Sequence, residues 1–412
     1  MKSINKKKII NDPVHGFIKI PSDLIYDLIE HPVFQRLRRI KQLGLTFYVY
    51  PGATHTRFQH TIGAVHLMEQ AISHLKLKNI DISPEEEEAV LIAILLHDIG
   101  HGPFSHAMEN SLIRGISHET LSKYLMSGLN KEFNGKLDLA IQIFNNQYPK
   151  KFLHQLVSSQ LDMDRMDYLK RDSFFTGVVE GNIGTDRIIK MLDVNNDQLA
   201  IEAKGIYSIE KFLLARRLMY WQVYYHKAVI SSEILLVKIL NRIRYLEERG
   251  KKVYCTPTLE YFVQNTVNKE FLERNTSEVL NKFIRLDDTD IFVSAKQWID
   301  HPDNVLRILA DGIVNRKLPR VEISKKKFEK ERIDHIHQNI CKLKNIGAKD
   351  AEFLLSEQSL SNSAYSLIDN NINIVFNDGT MKDIAEVSDV LNISNMNQPS
   401  KKYVLCYPKD CG

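Results

Sequence analysis

The chain has 412 residues, of which 43% are hydrophobic and 26% charged, and its formal net charge is +4. These values describe an ordinary soluble globular protein of two or three domains. So small a net charge gives no reason to expect a nucleic-acid or membrane partner. No secretory signal precedes the first motifs, and the longest apolar run is far short of the about 20 residues of a membrane span. Four cysteines without a CxxC pair fit reduced thiols, so we expect a cytoplasmic protein.

The N-terminal 44 residues predict a turn and short hairpin followed by an interrupted helix. Residues 9–21 hold Asp12-Pro13 and Gly16 between alternating apolar residues. Residues 22–44 have helical periodicity that breaks at His31-Pro32, and their second half is basic. That basic face and the preceding lysine run are either solvated or in contact with phosphates.

A buried helix is predicted after Ser83, which is a good N-cap before Pro84 and Glu86. Nearly every residue from 89 to 96 is apolar, so most sides of this helix should be covered. The run ends in His97-Asp98, and burying that pair costs several kcal/mol, roughly, unless both groups are paired or metal-bound. The pair either satisfies itself or belongs to a metal-centred active site.

Further candidate ligands make the metal interpretation stronger. His60 begins an amphipathic stretch upstream, and Asp164 lies in an acid-rich helical segment downstream. A catalytic ion needs several oxygen or nitrogen ligands and open positions for water and substrate. His60, His97, Asp98 and Asp164 would form a mixed site suited to Mn, Fe, Zn or Mg.

The remaining chain is expected to be mainly α, with a small C-terminal α+β lobe. Helical patterns cover residues 67–119, 136–172, 206–243 and 231–319. Beyond residue 319 we predict strands at 321–323, 372–376 and 403–407, a turn at Asn377-Asp378-Gly379 and a helix within 325–346. We therefore place domains at 1–318 and 319–412. An aromatic and basic stripe near residues 216–227 is either a packed helix face or a ligand wall.

Six segments resemble one family when taken in order. They are IINDPVHGFIKI, HPVFQRLRRIKQLG, YPGATHTRFQHTIG, LLHDIGHGPFSH, ISHE and LDMDRMDYLKRD. Their order is similar to that in HD-domain deoxynucleoside triphosphate triphosphohydrolases (dNTPases), in particular the bacterial branch related to the human SAM-and-HD-domain enzyme. The resemblance covers about residues 5–235. It implies an HD-domain helical core and metal-dependent hydrolysis of dNTPs to deoxynucleoside and triphosphate.

The resemblance also implies roles for single residues. The metal ligands are His60, His97, Asp98 and Asp164, and the proton-transfer residues are His101 and His118. The substrate-binding positions are Gln42, Leu43, Arg57, His106, Arg165, Tyr168, Asp172, Arg216, Tyr224, Tyr225 and Lys227. The positions for an activating nucleotide are Lys8, Asn11, Glu30, Gln35 and Arg38. A homo-oligomer, tetramer or dimer of dimers, is expected with them.

Three residues depart from the human member of that family. Glu30 replaces Asp, Arg165 replaces Lys and Tyr225 replaces Gln. The activator's base, the phosphate geometry and the preferred dNTP therefore do not follow from the resemblance. Two other functions stay open: a phosphodiesterase or nucleotide pyrophosphohydrolase using the same centre, and a non-catalytic nucleotide-binding regulator.

Overall fold

The computed structural model describes residues 8–104, 108–362, 371–389 and 400–412, and these residues form a mainly helical protein with small sheets. The helices are α1 Asp23–Glu30, α2 Pro32–Gln35, α3 Arg57–Leu77, α4 Pro84–Leu96, α5 Glu109–Leu112, α6 His118–Glu132, α7 Asp138–Phe144, α8 Lys151–Val157, α9 Met163–Thr176, α10 Thr185–Lys190, α11 Ile206–Met219, α12 Lys227–Glu247, α13 Pro257–Gln264, α14 Lys269–Arg274, α15 Thr276–Phe283, α16 Asp288–Trp298, α17 Asn304–Val314, α18 Lys330–Lys344, α19 Ala348–Ala351 and α20 Ile384–Val387. The strands are β1 Ile9–Asp12, β2 Gly16–Lys19, β3 Leu192–Asn195, β4 Gln198–Glu202, β5 Arg320–Ser324, β6 Ser356–Asn362, β7 Asn373–Val375, β8 Met381–Asp383 and β9 Ser400–Tyr407. The predicted fold class is confirmed.

Helix α4 begins and is buried as its sequence predicts. The Ser83 side chain accepts a hydrogen bond from the backbone of Glu86, and the Glu86 side chain accepts one from the backbone of Ser83. Every residue from 89 to 96 is buried, so the helix passes through the core. Helix α4 ends at Leu96, which leaves His97 as its C-cap and places Asp98 in the following turn.

Helix α3 is the element on which the site is assembled. It packs against both α4 and α9, while the 3₁₀ turn Arg36–Arg39 lies beside it. These three helices carry His60, His97 and Asp164, which are far apart in sequence. The interior they share is apolar, so polar side chains that enter it must find partners.

The C-terminal residues divide between two sheets. Strands β5, β9 and β6 form one antiparallel sheet, whereas β7 and β8 extend the β3–β4 hairpin, with β7 parallel to β4. The predicted strands at 321–323, 372–376 and 403–407 and the turn at 377–379 are confirmed, but the sequence analysis missed β3, β4 and β6. The division at residue 319 stays a prediction, and the pairing of β7 with β4 crosses it. Among the described residues no helix is long and apolar enough to cross a membrane.

Candidate metal centre

Three of the four predicted metal ligands meet in the interior. His60, His97 and Asp164 offer ligand atoms that all lie within 4.8 Å of one another. The Nε2 atoms of the two histidines lie 3.0 and 3.5 Å from Oδ1 of Asp164. Atoms that bind one ion at about 2.1 Å and at right angles are about 3 Å apart, which matches this spacing.

The hydrogen bonds of the two imidazoles favour metal binding through Nε2. Nδ1 of His60 lies 2.8 Å from Asp167, and Nδ1 of His97 lies 2.6 Å from the carbonyl oxygen of Ile94. Because Nδ1 must donate to these acceptors, Nε2 presents a lone pair in each ring. Both Nε2 atoms are buried and have no hydrogen-bond partner among the residues that the structure describes. The residues therefore fit a divalent ion.

The carboxylates around His60 control its charge when no ion is bound. Burial lowers the pKa of His60, but the nearby carboxylates of Asp164 and Asp167 outweigh burial and raise that pKa to about 10. Burial also opposes the charge of Asp164, yet the two histidines hold its pKa below the usual range. Without a metal ion, a proton on His60 thus takes the place of the cation. Either one removes the repulsion between the facing acceptor atoms of His60 and Asp164.

Asp98, the fourth predicted ligand, is next to the cluster but has other partners. Its Oδ2 accepts a hydrogen bond from Arg57 at 2.5 Å and lies 3.8 Å from Nε2 of His60. Its Oδ1 lies 3.2 Å from Nε2 of both His97 and His101. The assignments of Asp98 to the metal and of Arg57 to phosphate stay predictions.

The predicted proton-transfer residues, His101 and His118, are stacked with ring centroids 3.8 Å apart. Burial and the nearby Arg57 hold the pKa of His101 well below its ordinary value, so its imidazole is neutral at pH 7. His118 lies nearer solvent, with Nδ1 2.8 Å from a carboxylate oxygen of Glu109. A Cβ at Gly100 would lie 2.0 Å from the carbonyl oxygen of His118, so this close approach requires glycine.

Arg36 fixes the backbone at His101. Arg36 belongs to the basic second half of residues 22–44, but its side chain is fully buried and donates two hydrogen bonds to the carbonyl oxygen of His101, at 2.8 and 2.5 Å. Its guanidinium also lies over the ring of Phe283. Burial lowers the pKa of Arg36 to about 9.

Aromatic and polar side chains form a wall in which Asp172 is central. One carboxylate oxygen of Asp172 lies 2.8 Å from Nε2 of His55, and the other accepts a hydrogen bond from the Tyr224 hydroxyl at 2.8 Å. The Tyr168 ring meets the Tyr224 ring edge to face at 6.4 Å. Gln42 lies beside His55, because its backbone N–H donates a hydrogen bond to the carbonyl oxygen of His55.

Unpartnered buried atoms concentrate on the predicted site. Nine buried side-chain nitrogen or oxygen atoms lack a hydrogen-bond partner among the described residues. Five belong to predicted site residues: Gln42 Oε1, His60 Nε2, His97 Nε2, Arg165 Nε and Arg216 Nε. Because buried polar atoms are nearly always bonded, such clustering marks a place where a ligand supplies the partners.

For three other predicted substrate residues, the substrate-binding role stays a prediction. Tyr225 packs with Tyr220, Trp221 and an apolar cluster shared with β5 and β9. Lys227 is exposed at the first position of α12, and Leu43 is half-buried against the core. His106 lies outside the described residues.

The predicted activator residues share one surface. The Lys8 ammonium donates to the Tyr26 hydroxyl at 2.6 Å, and Arg38 donates to Gln35 at 2.8 Å while covering the Phe58 ring. Glu30 acts electrostatically on both basic groups. Asn11 is exposed on β1. A nucleotide at this surface stays a prediction.

Sequence reasoning missed the buried ion network behind His60. Asp167 accepts from His60 with one oxygen and lies 2.7 Å from His15 with the other, while Arg171 binds both Asp167 and Asp12. The available signal was the Asp167–Arg171 spacing of four residues on a helix. Glu109 was also missed, because nothing in its local sequence distinguishes it from a surface glutamate.

Comparisons with known proteins agree with this geometry. An HD domain model matches residues 57–172, and an HD associated region matches residues 183–249. The fold and site thus define an HD-domain phosphohydrolase.

Similar proteins and one similar crystal structure show the family to which the chain belongs. The uncharacterized protein YwfO of Bacillus subtilis is 34% identical over 322 residues, which cover 76% of this chain and 72% of YwfO. A crystal structure of a phosphohydrolase from Bacteroides thetaiotaomicron is 53% identical with a TM-score of 0.95, covering 98% of this chain and 100% of that one. The SAMHD1 homolog of Dictyostelium discoideum, a deoxynucleoside triphosphate triphosphohydrolase by name, is 33% identical over 57% of this chain and 49% of its own length. The chain belongs to the HD-domain family that contains YwfO and SAMHD1.

Proposed function

We propose that this protein hydrolyses deoxynucleoside triphosphates to deoxynucleoside and triphosphate. The observation that carries the proposal is the set of unpartnered buried atoms, which combines two imidazole lone pairs with two arginine N–H donors and an amide oxygen. The lone pairs suit a divalent cation, and the arginine donors suit a polyphosphate. Relatives named as dNTPases support the nucleotide substrate.

His60, His97 and Asp164, with Asp98 beside them, would hold the divalent ion. Such an ion polarises a phosphoryl oxygen or lowers the pKa of a bound water. Arg165 and Arg216 would bind the phosphates through their free Nε–H groups, and Arg57 would add positive charge near Asp98. These groups stabilise the charge that develops at the α-phosphorus.

The histidine pair would move protons for this reaction. The neutral His101 accepts a proton, while His118 is oriented by Glu109 and lies close enough to solvent to exchange one. Asp172 would accept a hydrogen bond from the 3′-hydroxyl of the deoxyribose. Its carboxylate is buried and already accepts a hydrogen bond from the Tyr224 hydroxyl. The Tyr168 ring beneath C2′ would disfavour a ribose hydroxyl by sterics.

Product analysis tests the proposal directly. Purified protein is incubated with each dNTP and Mn²⁺ or Mg²⁺, and an Asp164→Asn variant provides the metal-site control. Deoxynucleoside with intact triphosphate supports the proposal. Monophosphate with pyrophosphate would instead establish the pyrophosphohydrolase, and binding without turnover would establish the regulator.

A further inference from the structure

A cavity outside the candidate metal centre lies where α12 and α17 meet the sheet of β5, β9 and β6. It has a volume of about 560 Å³, within the range of small-molecule sites. Its apolar lining comes mainly from Ile234, Leu235, Ile308, Leu309 and Phe353. None of the described residues of the candidate metal centre lines it.

The cavity carries an excess of positive charge. Of its basic residues, Lys317 is paired with Asp311 at 2.8 Å and Lys344 with Asp410 at 2.6 Å. The other three, Lys238, Arg316 and Lys409, have no carboxylate oxygen within 4.0 Å in the part of the chain that the structure describes.

Lys238 is the cation best placed to recognise an anion in this cavity. It is half-buried on α12 and donates to the carbonyl oxygen of Glu352 at 2.8 Å, while the Glu352 carboxylate acts on it only from a greater distance. Burial among apolar side chains lowers the pKa of Lys238, so its charge is held at a cost. A desolvated ammonium beside an apolar wall gains from an anionic group more than a hydrated surface lysine does.

We propose that this cavity binds an amphipathic organic anion, with its carboxylate or phosphate at Lys238 and its apolar body against Ile234, Ile308 and Leu309. Binding is measured by calorimetry with decanoate, decyl phosphate and uncharged 1-decanol at equal concentrations. We expect the anions to bind and the alcohol to bind about 10-fold more weakly or not at all. The two anionic probes distinguish a fatty carboxylate from a phosphate ester.

Variants locate the site. Lys238→Gln should weaken binding of the anions about 10-fold, whereas Lys296→Gln, an exposed lysine on α16, should leave it unchanged. Ile308→Trp should fill the cavity and abolish binding while circular dichroism stays native. No binding of either anion, equal binding of decanol, or unchanged affinity in Lys238→Gln overturns the proposal.

The N-terminal hairpin β1–β2 makes buried contacts behind His60. The inference drawn from these contacts rests on the proposed metal site. Asp12 ends β1 and His15 lies in the following turn, and both side chains are buried although the turn lies at the surface. His15 lies 2.7 Å from one oxygen of Asp167, and the other oxygen lies 2.8 Å from Nδ1 of His60. A Cβ at Gly63 would lie 2.1 Å from Asp167, so the absence of a side chain at this position of α3 leaves room for Asp167.

We infer that His15 and Asp12 are positioning residues for the metal ligand His60. Asp12 holds Arg171 at 2.8 Å, and Arg171 in turn binds Asp167, so both oxygens of Asp167 are fixed from the hairpin side. Loss of such an outer partner typically weakens metal affinity about 10–100-fold. An isolated two-stranded hairpin is only marginally stable in water. Displacement of this hairpin would remove the contacts of His15 and Asp12 and so weaken metal binding by His60.

Manganese affinity and the Mn²⁺ electron paramagnetic resonance (EPR) spectrum test this inference. His15→Ala and Asp12→Asn should each weaken Mn²⁺ binding about 10–100-fold and change the spectrum, whereas Lys19→Ala on the same hairpin should change neither. Lowered thermal stability with unchanged Mn²⁺ affinity and spectrum would mean a purely structural role. Absence of Mn²⁺ binding in the wild type would instead refute the proposed metal centre.

Discussion

The Nε2 atom of His60 lies 3.0 Å from Oδ1 of Asp164, although both atoms are acceptors when His60 donates from Nδ1 to Asp167. Two facing acceptors in a buried site repel each other unless a proton or a cation lies between them. This contact, more than the presence of the His97-Asp98 pair, marks the place between helices α3 and α9 where a cation fits.

Asp164→Asn should remove bound metal and activity while leaving the fold intact. The amide keeps the shape of the side chain but is a poor ligand for a divalent ion, so Mn²⁺ affinity should fall by about 100-fold or more. Elemental analysis of the dialysed protein measures the loss, with the exposed Asp186→Asn as control. Full metal occupancy in Asp164→Asn would refute the ligand assignment.

Glu109→Gln should lower kcat without loss of metal, because Glu109 orients His118 and is not one of the three clustered ligands. Removing a general acid or base lowers kcat about 10²–10⁴-fold, so His118→Ala should fall in that range and Glu109→Gln should cost less. Steady-state kinetics beside metal analysis separates the two effects. The control is Glu331→Gln on the exposed face of α18, and kcat within a few-fold of wild type for His118→Ala would remove that residue from catalysis.

Asp172→Ala should abolish discrimination between dNTPs and 2′,3′-dideoxynucleotides. If the carboxylate accepts a hydrogen bond from the 3′-hydroxyl, the wild type should prefer the dNTP by about 10-fold or more in kcat/KM, and the variant, which has no acceptor, should treat both alike. The bond to the Tyr224 hydroxyl gives a matched control, because Tyr224→Phe removes a neighbour of Asp172 while the acceptor stays. Equal discrimination in wild type and Asp172→Ala would contradict the assignment.

Glu233→Gln should raise stability at pH 8 but not at pH 5. Burial raises the pKa of Glu233 to about 7, above its ordinary value of 4.5. Because the folded state binds this proton more tightly than the unfolded state, folding stability falls as pH rises from 4.5 through 7. Glutamine stays neutral, so the melting temperature of the variant should exceed that of wild type increasingly as pH rises from 4.5 to 7, and by the full amount above pH 7. Identical pH profiles would contradict the prediction.

A nucleotide activator should couple assembly to activity through the surface of Lys8, Glu30 and Arg38. Light scattering with and without dNTP mixtures should show a larger homo-oligomer when nucleotide is present, and Arg38→Ala should weaken that response. Lys349→Ala, an exposed lysine on α19, is the control. A monomer that hydrolyses each dNTP equally well without a second nucleotide would exclude this regulation.

The sequence by itself determined the elements that bring the ligands. Capping residues and apolar runs predicted α4 and its buried end at His97-Asp98, and the motif order predicted His60 and Asp164 as partners. These features are local, since caps, periodicity and turn residues act over a few positions. The strands β5, β7 and β9 were predicted on the same grounds, whereas the short hairpin β3–β4 and the polar strand β6 lacked a clear alternating pattern.

Only the tertiary structure decided which polar groups meet. Arg36 and His15 look like surface residues in sequence, yet one holds the His101 carbonyl and the other contacts Asp167 across 152 positions of chain. Asp98 was assigned to the metal, but its Arg57 and His101 contacts arise from packing of α3 beside α4. Pairing of buried charges depends on which helices pack together, and that is decided by burial of apolar surface over the whole chain rather than by local pattern.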